Sequence, residues 1–275
     1  MQSIIESNTT ILPFLKWAGG KRWLVKYSAE LIPDFSGKYL EPFLGSGAIF
    51  FHLKPKAALL SDKNHQLIET YKAIQSDWRP VLAKLKEHHR KHSKEYYYSV
   101  RKSSPRKTHT KAAKFIYLNR TCWNGLYRVN LQGDFNVPVG SKKNVILDTD
   151  DFEAISESIS GVDFQSGDFE QVLRKAGPDD FVFVDPPYTV KHNHNGFIKY
   201  NETLFSWSDQ VRLRKSIDLA VARGAKILVS NADHPSIQDL YGDYEQISLD
   251  RLNVLSGKAE FRGRYAERLI KCGYS

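Results

Sequence analysis

The segment Asp185-Pro186-Pro187-Tyr188 carries the most specific chemical signal in the sequence, and it directly follows the apolar run Phe181–Val184. An amine on an aromatic ring is a poor nucleophile, because its lone pair is delocalised until acceptors hold the two amine hydrogens. Asp185 and the Pro186 carbonyl can provide those acceptors, since prolines fix the backbone and remove competing N–H donors. The freed lone pair can then attack a carbon electrophile that is held in line with it, while Tyr188 stacks on the ring. The alternative is a strand that ends in a rigid Pro-Pro turn.

A glycine-containing turn, Glu41–Gly47, lies between a short apolar strand and an apolar helix start. Gly45 and Gly47 let the backbone approach a ligand closely, and ligands bind at such strand ends in α/β sheets. The third glycine of a dinucleotide fingerprint is absent, so the turn is equally compatible with a purely structural role. Asp62 ends the next apolar run, where an acidic residue grips ribose hydroxyls. Alternatively, Asp62 caps the helix that begins near Asn64.

The segment Phe14–Lys21 is similar to a phosphate-binding loop. Such a loop requires Gly at the position of Leu15 and Ser or Thr at the position of Arg22, and this chain has neither. A nucleotide triphosphatase is therefore rejected. Lys21 can instead reach a ligand carboxylate, while Trp17 offers a flat apolar wall. The alternative places Trp17 in the core and Lys21 on the surface.

Basic residues are concentrated in one internal segment. The chain has 275 residues and a net charge of +9, and residues 79–143 contain 16 Lys or Arg against three acidic residues. That segment carries +13, so the remainder carries −4. This distribution is expected if one segment contacts phosphates and the rest performs chemistry, although solvated helix faces are the alternative.

The composition indicates one globular core, or one core with a smaller inserted lobe. No apolar run approaches the roughly 20 residues needed to cross a membrane, so we expect a cytosolic protein. Cys122 and Cys272 belong to no paired arrangement and are expected to be reduced thiols.

Short apolar runs alternate with helical patterns in the first and last parts of the chain. Consecutive apolar residues in these runs indicate strands buried on both faces, which predicts a largely parallel sheet covered by helices. The predicted strands are Tyr39–Pro42, Ala57–Ser61, Val162–Phe164, Phe181–Val184 and Lys226–Ser230. The fold class is therefore α/β and doubly wound.

The middle of the chain has a different character. It is helical and basic from Pro80 to Asn119, and then glycine-rich. The turn Gly133-Asp134 between Leu126–Val129 and Phe135–Val137 predicts a β-hairpin, and a two-stranded ribbon fits the major groove of DNA. We expect residues 1–63 and 161–275 to form the catalytic domain and residues 64–160 to form an inserted basic target-recognition domain.

Taken together, these motifs closely resemble the Dam-like (D12 class) DNA adenine-N6 methyltransferase family. The matching segments are Lys16–Lys21, Glu41–Gly47, Asp62, Asn119–Gly140, Gly167–Glu170, Asp185–Tyr188, Asp209–Leu213, Leu228–Asn231 and Glu267–Ile270. The resemblance implies a Rossmann-like S-adenosylmethionine-dependent methyltransferase sheet. It also implies methyl transfer to N6 of an adenine in duplex DNA, with the base flipped out because a paired atom is unreachable.

The resemblance also implies residue roles. The catalytic residues are Asp185, Pro186 and Tyr188. The cofactor-binding residues are Trp17, Lys21, Phe43, Gly45, Gly47, Asp62, Asp168, Phe169 and Asp185. The DNA-binding residues are Lys16, Arg120, Trp123, Asn124, Leu126, Arg128, Asn130 and Pro138.

Carried over position by position, the hairpin residues suggest a recognition sequence. Arg128 reads a guanine edge through two hydrogen bonds, and Leu126 and Pro138 touch a thymine methyl group. Lys16 contacts the outer guanine. These roles imply GATC or a related short site.

The resemblance also implies that Trp123 or Asn124 fills the gap left by the departing base.

The loop at 189–196 differs from the Ser- and Thr-rich loop of the family members that recognise GATC. This difference bears on the recognised sequence rather than on the reaction. No carboxylate or cysteine near His192 and His194 completes a metal site, so no metal is expected.

Two alternative functions remain open. One is the same chemistry on a cytosine amine or an RNA adenine, but the hairpin favours duplex DNA because A-form RNA closes its major groove. The other is a catalytically silent DNA-binding protein, against which Asp185, Tyr188, Asp62 and the glycines argue. We expect duplex DNA as the partner, with neither a membrane nor an obligate protein partner.

Overall fold

The computed structural model describes residues 11–130, 132–190, 205–252 and 264–275. By internal contacts the chain divides into two compact units. The helical unit comprises Met1–Val25, Gly45–Lys54 and Glu69–Gly161, and the sheet unit comprises Lys26–Leu44, Pro55–Ile68 and Val162–Ser275.

The strands all belong to the sheet unit. They are β1 (Tyr39–Glu41), β2 (Ala58–Asp62), β3 (Asp163–Ser166), β4 (Phe181–Val184), β5 (Lys226–Ala232), β6 (Glu245–Leu252) and β7 (Arg264–Cys272). The helices are α1 (Ser28–Leu31), α2 (Ala48–Leu53), α3 (His65–Lys91), α4 (Lys94–Lys102), α5 (Thr108–Thr121), α6 (Phe152–Ser158), α7 (Phe169–Leu173), α8 (Trp207–Ala222) and α9 (Pro235–Leu240). Short 3-10 turns cover Arg22–Tyr27 and Trp123–Gly125.

The described strands form one sheet in the order β3-β2-β1-β4-β5-β7-β6. The first five strands pair in parallel, whereas β7 pairs antiparallel with both β5 and β6. The order 3-2-1-4-5 is that of the doubly wound Rossmann sheet. The predicted α/β class with a largely parallel Rossmann-like sheet is therefore confirmed.

The core of the sheet unit lies between the sheet and its covering helices. All four residues of β4 are buried, as are those of β1. Leu213 and Ile217 of α8 and Val172 of α7 join the same apolar cluster. This packing fixes the positions at which the parallel strands end.

The helical unit is organised around α5, which is buried from Phe115 to Thr121. Helix α4 ends at Lys102 and α5 begins at Thr108, so the basic helical region is interrupted around Ser103-Ser104-Pro105. Helix α3 is interrupted at Asp77, whose φ of −162° is extended rather than helical.

Both cysteines are buried free thiols. Within the described part of the chain, no helix has the length and apolar character to span a membrane.

Candidate active site

Acidic side chains follow neighbouring parallel strands of the sheet unit. Glu41 ends β1, Asp62 ends β2 and Asp185 comes directly after β4. Strand β1 lies between β2 and β4, and the strand order reverses between β1 and β4. In doubly wound sheets, ligands bind at this reversal, outside the carboxyl ends of the strands. Asp62 and Asp185 therefore flank the position at which this fold class binds ligands.

Glu41 is a member of this acidic group that the sequence motifs did not single out as a site residue. Its carboxyl is 2% exposed and accepts a hydrogen bond from Tyr39 Oη at 2.9 Å. Burial raises the pKa of Glu41 well above its ordinary value, the Tyr39 hydrogen bond opposes this rise, and the charges of Asp185 and Asp62 add to it. The available signal was the i, i+2 spacing of Tyr39 and Glu41, which puts both side chains on one face of a strand.

Asp62 contacts the backbone of the segment that leads into α3. Its Oδ1 accepts a hydrogen bond from the Asn64 backbone at 2.9 Å, and Asn64 Oδ1 accepts one from the Leu67 backbone at 3.2 Å. Asn64, next to the first residue of α3, thus caps the helix.

The turn after β4 places Tyr188 against two other strands. Tyr188 Oη donates to Glu267 Oε2 at 2.7 Å and lies 2.9 Å from Ser230 Oγ. Burial raises the pKa of Tyr188 well above its ordinary value, and the charges of Asp185 and Glu267 add to this effect. Pro186 is buried, while Asp185 and Tyr188 are partly exposed.

Asp168 and Phe169 lie where β3 leads into α7. Asp168 Oδ1 caps α7 through the Glu170 backbone at 2.9 Å, and both carboxylate oxygens pair with Arg212 at 2.9 Å. Burial alone raises the pKa of Asp168, but Arg212 and the backbone bond lower it overall. Phe169 stacks on Phe43 at a centroid distance of 5.7 Å. Asp168 therefore both caps α7 and pairs with Arg212 of α8.

In the helical unit, Trp17 packs against the Gly45 backbone. A Cβ on Gly45 would lie 2.7 Å from Trp17 Cδ1, and the Gly45 φ is +49°, so only glycine suits this position. Gly47 has a φ of +66° at the start of α2. Trp17 also stacks on Tyr127 at 5.8 Å.

Lys21 is 3% exposed and donates to the Gly19 carbonyl at 2.7 Å. This burial excludes the alternative in which Lys21 is a surface residue. A buried lysine is stabilised by oxygen acceptors, which suits a carboxylate ligand.

The predicted hairpin is a short antiparallel pairing rather than a ribbon of regular strands. Val129 bridges Phe135, and the Asn136 backbone donates to the Arg128 carbonyl at 3.1 Å. Asn130 Oδ1 accepts from the Asp134 backbone at 2.8 Å and so closes the turn. The turn thus forms where the sequence predicts it.

The side chains predicted to read DNA differ in exposure. Arg128 is exposed, and its Nε donates to Asn136 Oδ1 at 2.8 Å. Pro138 is also exposed, and Leu126 is half-buried. Trp123 is 49% exposed.

Lys16 and Asn124 line one pocket of the helical unit, together with Trp123 and Lys142. Asn119 fixes the backbone of Lys16 through hydrogen bonds of 2.9 and 2.7 Å. Asn124 has a φ of +54°.

Arg120 has a different role from the predicted one. It is 1% exposed, makes two hydrogen bonds of 2.6 Å to Asp150, and donates to the carbonyls of Phe14 and Val145. A guanidinium enclosed in this way has no surface for a phosphate. This corrects the expectation of a DNA contact: Arg120 holds α5 against the chain segments on either side of it.

No group of three metal-binding side chains occurs among the residues that the structure describes. His192 and His194 lie outside the described residues.

The sequence model of the D12 class N6 adenine-specific DNA methyltransferases matches residues 17–254. The chain belongs to this family. Among its relatives, the type II methyltransferase M1.LlaDCHI of Lactococcus lactis subsp. cremoris is 34% identical over 98% of both chains. The type II methyltransferase M.MjaIII of Methanocaldococcus jannaschii is 36% identical, over 95% of this chain and 93% of that one. A DNA adenine methylase of Vibrio cholerae is 31% identical, over 83% and 84%.

Membership of the D12 class confirms the assignment from the sequence motifs and gives the reaction in outline, which is methylation of adenine in DNA. The alternatives of a cytosine or RNA acceptor and of a silent DNA-binding protein lose their support. In this D12 methyltransferase, the acidic strand ends of the sheet unit are the candidate catalytic centre.

Proposed function

We propose that this enzyme transfers the methyl group of S-adenosylmethionine to N6 of an adenine flipped out of duplex DNA, at GATC or a related short site. S-adenosylhomocysteine is the second product. The observation that supports this most strongly is the position of Asp185. It stands at the carboxyl end of β4 beside the sheet reversal, and Pro-Pro-Tyr follows it.

In the proposed reaction, the Asp185 carboxylate and the Pro186 carbonyl accept the two hydrogens of the adenine amine. The nitrogen becomes pyramidal and its lone pair is freed for attack. Tyr188 stacks on the flipped base and holds it in plane. After methyl transfer the nitrogen carries a positive charge, and Asp185 Oδ is the acceptor for the proton that it loses.

The charge of the strand ends suits the proposed cofactor. Repulsion from Asp62 and Asp185 contributes to the raised pKa of Glu41, and a cationic sulfonium ligand would relieve that repulsion. When bound, S-adenosylmethionine supplies an electrophilic methyl group. Asp62 is the proposed ligand of the ribose hydroxyls, and Lys21 of the carboxylate. The remaining proposed cofactor contacts are Trp17, Phe43, Gly45, Gly47, Asp168 and Phe169.

For DNA we propose that residues 64–160 form the target-recognition domain. Arg128 would read guanine with its terminal nitrogens, while the Nε bond to Asn136 fixes the plane of the group. Lys16 would contact the outer guanine. The other proposed DNA contacts are Trp123, Asn124, Leu126, Asn130 and Pro138.

The test is incubation of the purified chain with duplex DNA and S-adenosylmethionine carrying a labelled methyl group, followed by nucleoside analysis. We expect label in N6-methyladenine alone, at one short sequence. Label in cytosine, or label that appears only with an RNA substrate, would refute the proposal. Replacement of GATC by shuffled sites in otherwise identical duplexes tests the recognition sequence separately.

A further inference from the structure

The phenol of Tyr188 ends in a buried polar cluster formed by two other strands. Besides the bond that Tyr188 Oη donates to Glu267, Ser230 Oγ donates to the same Glu267 oxygen at 3.2 Å and lies 2.9 Å from Tyr188 Oη. Ser230 is 0% exposed and Glu267 is 2% exposed. One oxygen of Glu267 therefore accepts hydrogen bonds from two hydroxyl groups. One of these belongs to Tyr188, in the turn proposed to hold the adenine.

The sheet register explains this convergence. Strands β5 and β7 pair antiparallel, with Ser230 opposite Leu269 and Ala232 opposite Glu267. Ser230 and Glu267 are thus diagonal neighbours on one face of the sheet, where side chains come within reach of each other. Both residues lie in segments that resemble the family, but neither was assigned a role from its sequence position.

Burial makes this cluster energetically demanding. A buried carboxyl group is costly unless donors satisfy it, and hydrogen bonds to charged groups are stronger than neutral ones. Breaking the Tyr188 bond would leave Glu267 with fewer donors, so rotation of the ring away from its observed plane is opposed. The arrangement therefore restrains a ring that is itself partly exposed.

Gln210 of α8 also contacts the turn that contains Tyr188. Gln210 Nε2 lies 3.5 Å from the carbonyl oxygens of Pro187 and Thr189, and its Oε1 accepts from Asn231 Nδ2 at 3.1 Å. Gln210 and Asn231 are both fully buried. The backbone on either side of Tyr188 is therefore held as well as its phenol.

We infer that Glu267 and Ser230 are positioning residues for methyl transfer, which act by fixing the plane in which Tyr188 stacks on the target base. The inference rests on the function proposed above. It assigns a role in turnover to β7, the strand that pairs antiparallel beside β5.

The test is a double-mutant cycle of Tyr188→Phe and Glu267→Gln, measured as the single-turnover methylation rate constant at saturating DNA and S-adenosylmethionine. Tyr188→Phe should be slower by about 10-fold and Glu267→Gln by a smaller factor, because Tyr188→Phe removes the bond that Glu267→Gln only changes from charge-assisted to neutral. The double variant should be no slower than Tyr188→Phe alone, because both substitutions act on that one bond. The dissociation constant for DNA should stay within about twofold, since phosphate contacts dominate it. Should Glu267→Gln fail to fold, Ser230→Ala takes its place in the cycle.

Tyr244→Phe is the matched control, because Tyr244 Oη donates to Asp218 at 2.7 Å in the same unit. It should keep the wild-type rate. Unchanged rates in the single variants, losses that multiply in the double variant, or an equal loss in Tyr244→Phe would each overturn the inference. If the wild-type enzyme methylates no adenine, the proposed function fails instead, which separates the two.

Discussion

Asp185 combines two properties that are rarely compatible in one carboxylate. It follows a fully buried strand, yet its side chain remains partly exposed. Its charge raises the pKa values of Glu41 and Tyr188 in addition to the effect of burial. A negative group is therefore held at a rigid strand end, where it can accept hydrogens from an incoming amine.

Replacement of Asp185 by alanine should separate chemistry from DNA binding. We expect Asp185→Ala to lower the single-turnover methylation rate by at least about 100-fold, as the loss of one preorganised polar group typically does. DNA affinity should change little, because phosphate contacts supply most of it. Asp243→Ala, at an exposed position, is the control. Retained turnover in Asp185→Ala would rule out its catalytic role.

The buried carboxyl of Glu41 should make stability depend on pH. Its pKa is raised by burial, with repulsion from Asp185 and Asp62, so the folded state favours the protonated form. The stability that this proton contributes is complete below the ordinary glutamate value of 4.5 and is lost as pH rises through the raised value. Glu41→Gln has no proton to lose there. Its melting temperature relative to wild type should therefore increase from about pH 5 to about pH 8.

The control for this measurement is Glu245→Gln, which changes an exposed carboxylate that pairs with Lys271 on the outer strands. Its melting-temperature difference from wild type should not grow over the same range. A constant difference for Glu41→Gln would show that Glu41 titrates normally in the folded protein.

At the level of elements, the parallel part of the sheet was predictable because its strands are short apolar runs that end in recognisable turns. The runs before Asp62 and Asp185 are examples, and both residues stand where the sequence predicts. Strands β6 and β7 were not predicted, since charged residues such as Glu245 and Lys271 interrupt their apolar pattern. Their identity as strands comes from pairing with β5, which no local pattern reveals.

The same reason explains the individual residues that sequence reasoning missed or misjudged. Glu267 is buried only because β7 pairs beside β5. Arg120 stands in a basic stretch that resembles a DNA-binding hairpin, but its partner Asp150 lies 30 residues away in the sequence. Local motifs thus predict where the candidate site lies. Which charged side chains are buried depends on contacts between residues far apart in the sequence.

The hairpin leads to a prediction about specificity. Arg128→Ala should relax discrimination at one guanine by about 1–3 kcal/mol, because two hydrogen bonds to a base edge are lost. The measurement compares methylation rates on duplexes in which each base pair of the site is replaced in turn. Arg90→Ala, at an exposed basic position of α3, should weaken binding to all sequences equally. Unchanged discrimination in Arg128→Ala would remove Arg128 from base reading.

For the whole molecule, the position of charge matters more than its sum. The net charge of +9 arises because residues 79–143 contribute +13 and the rest −4. The sheet unit carries the acidic strand ends. A positive charge spread evenly over the chain would not separate phosphate binding from the chemistry at these strand ends. If the basic segment supplies the phosphate contacts, equal charge changes in different places should have unequal effects.

Two pairs of exposed lysines allow this comparison, Lys142 with Lys143 and Lys175 with Lys215. Changing either pair to glutamine lowers the net charge from +9 to +7. The Lys142/Lys143 variant should reduce the slope of log affinity for DNA against log salt concentration by about 1–2, since each lost phosphate contact removes about one. The Lys175/Lys215 variant should keep the wild-type slope. Equal slopes in the two variants would mean that DNA responds to the total charge, and the basic segment would then lose its proposed role as the phosphate-binding surface.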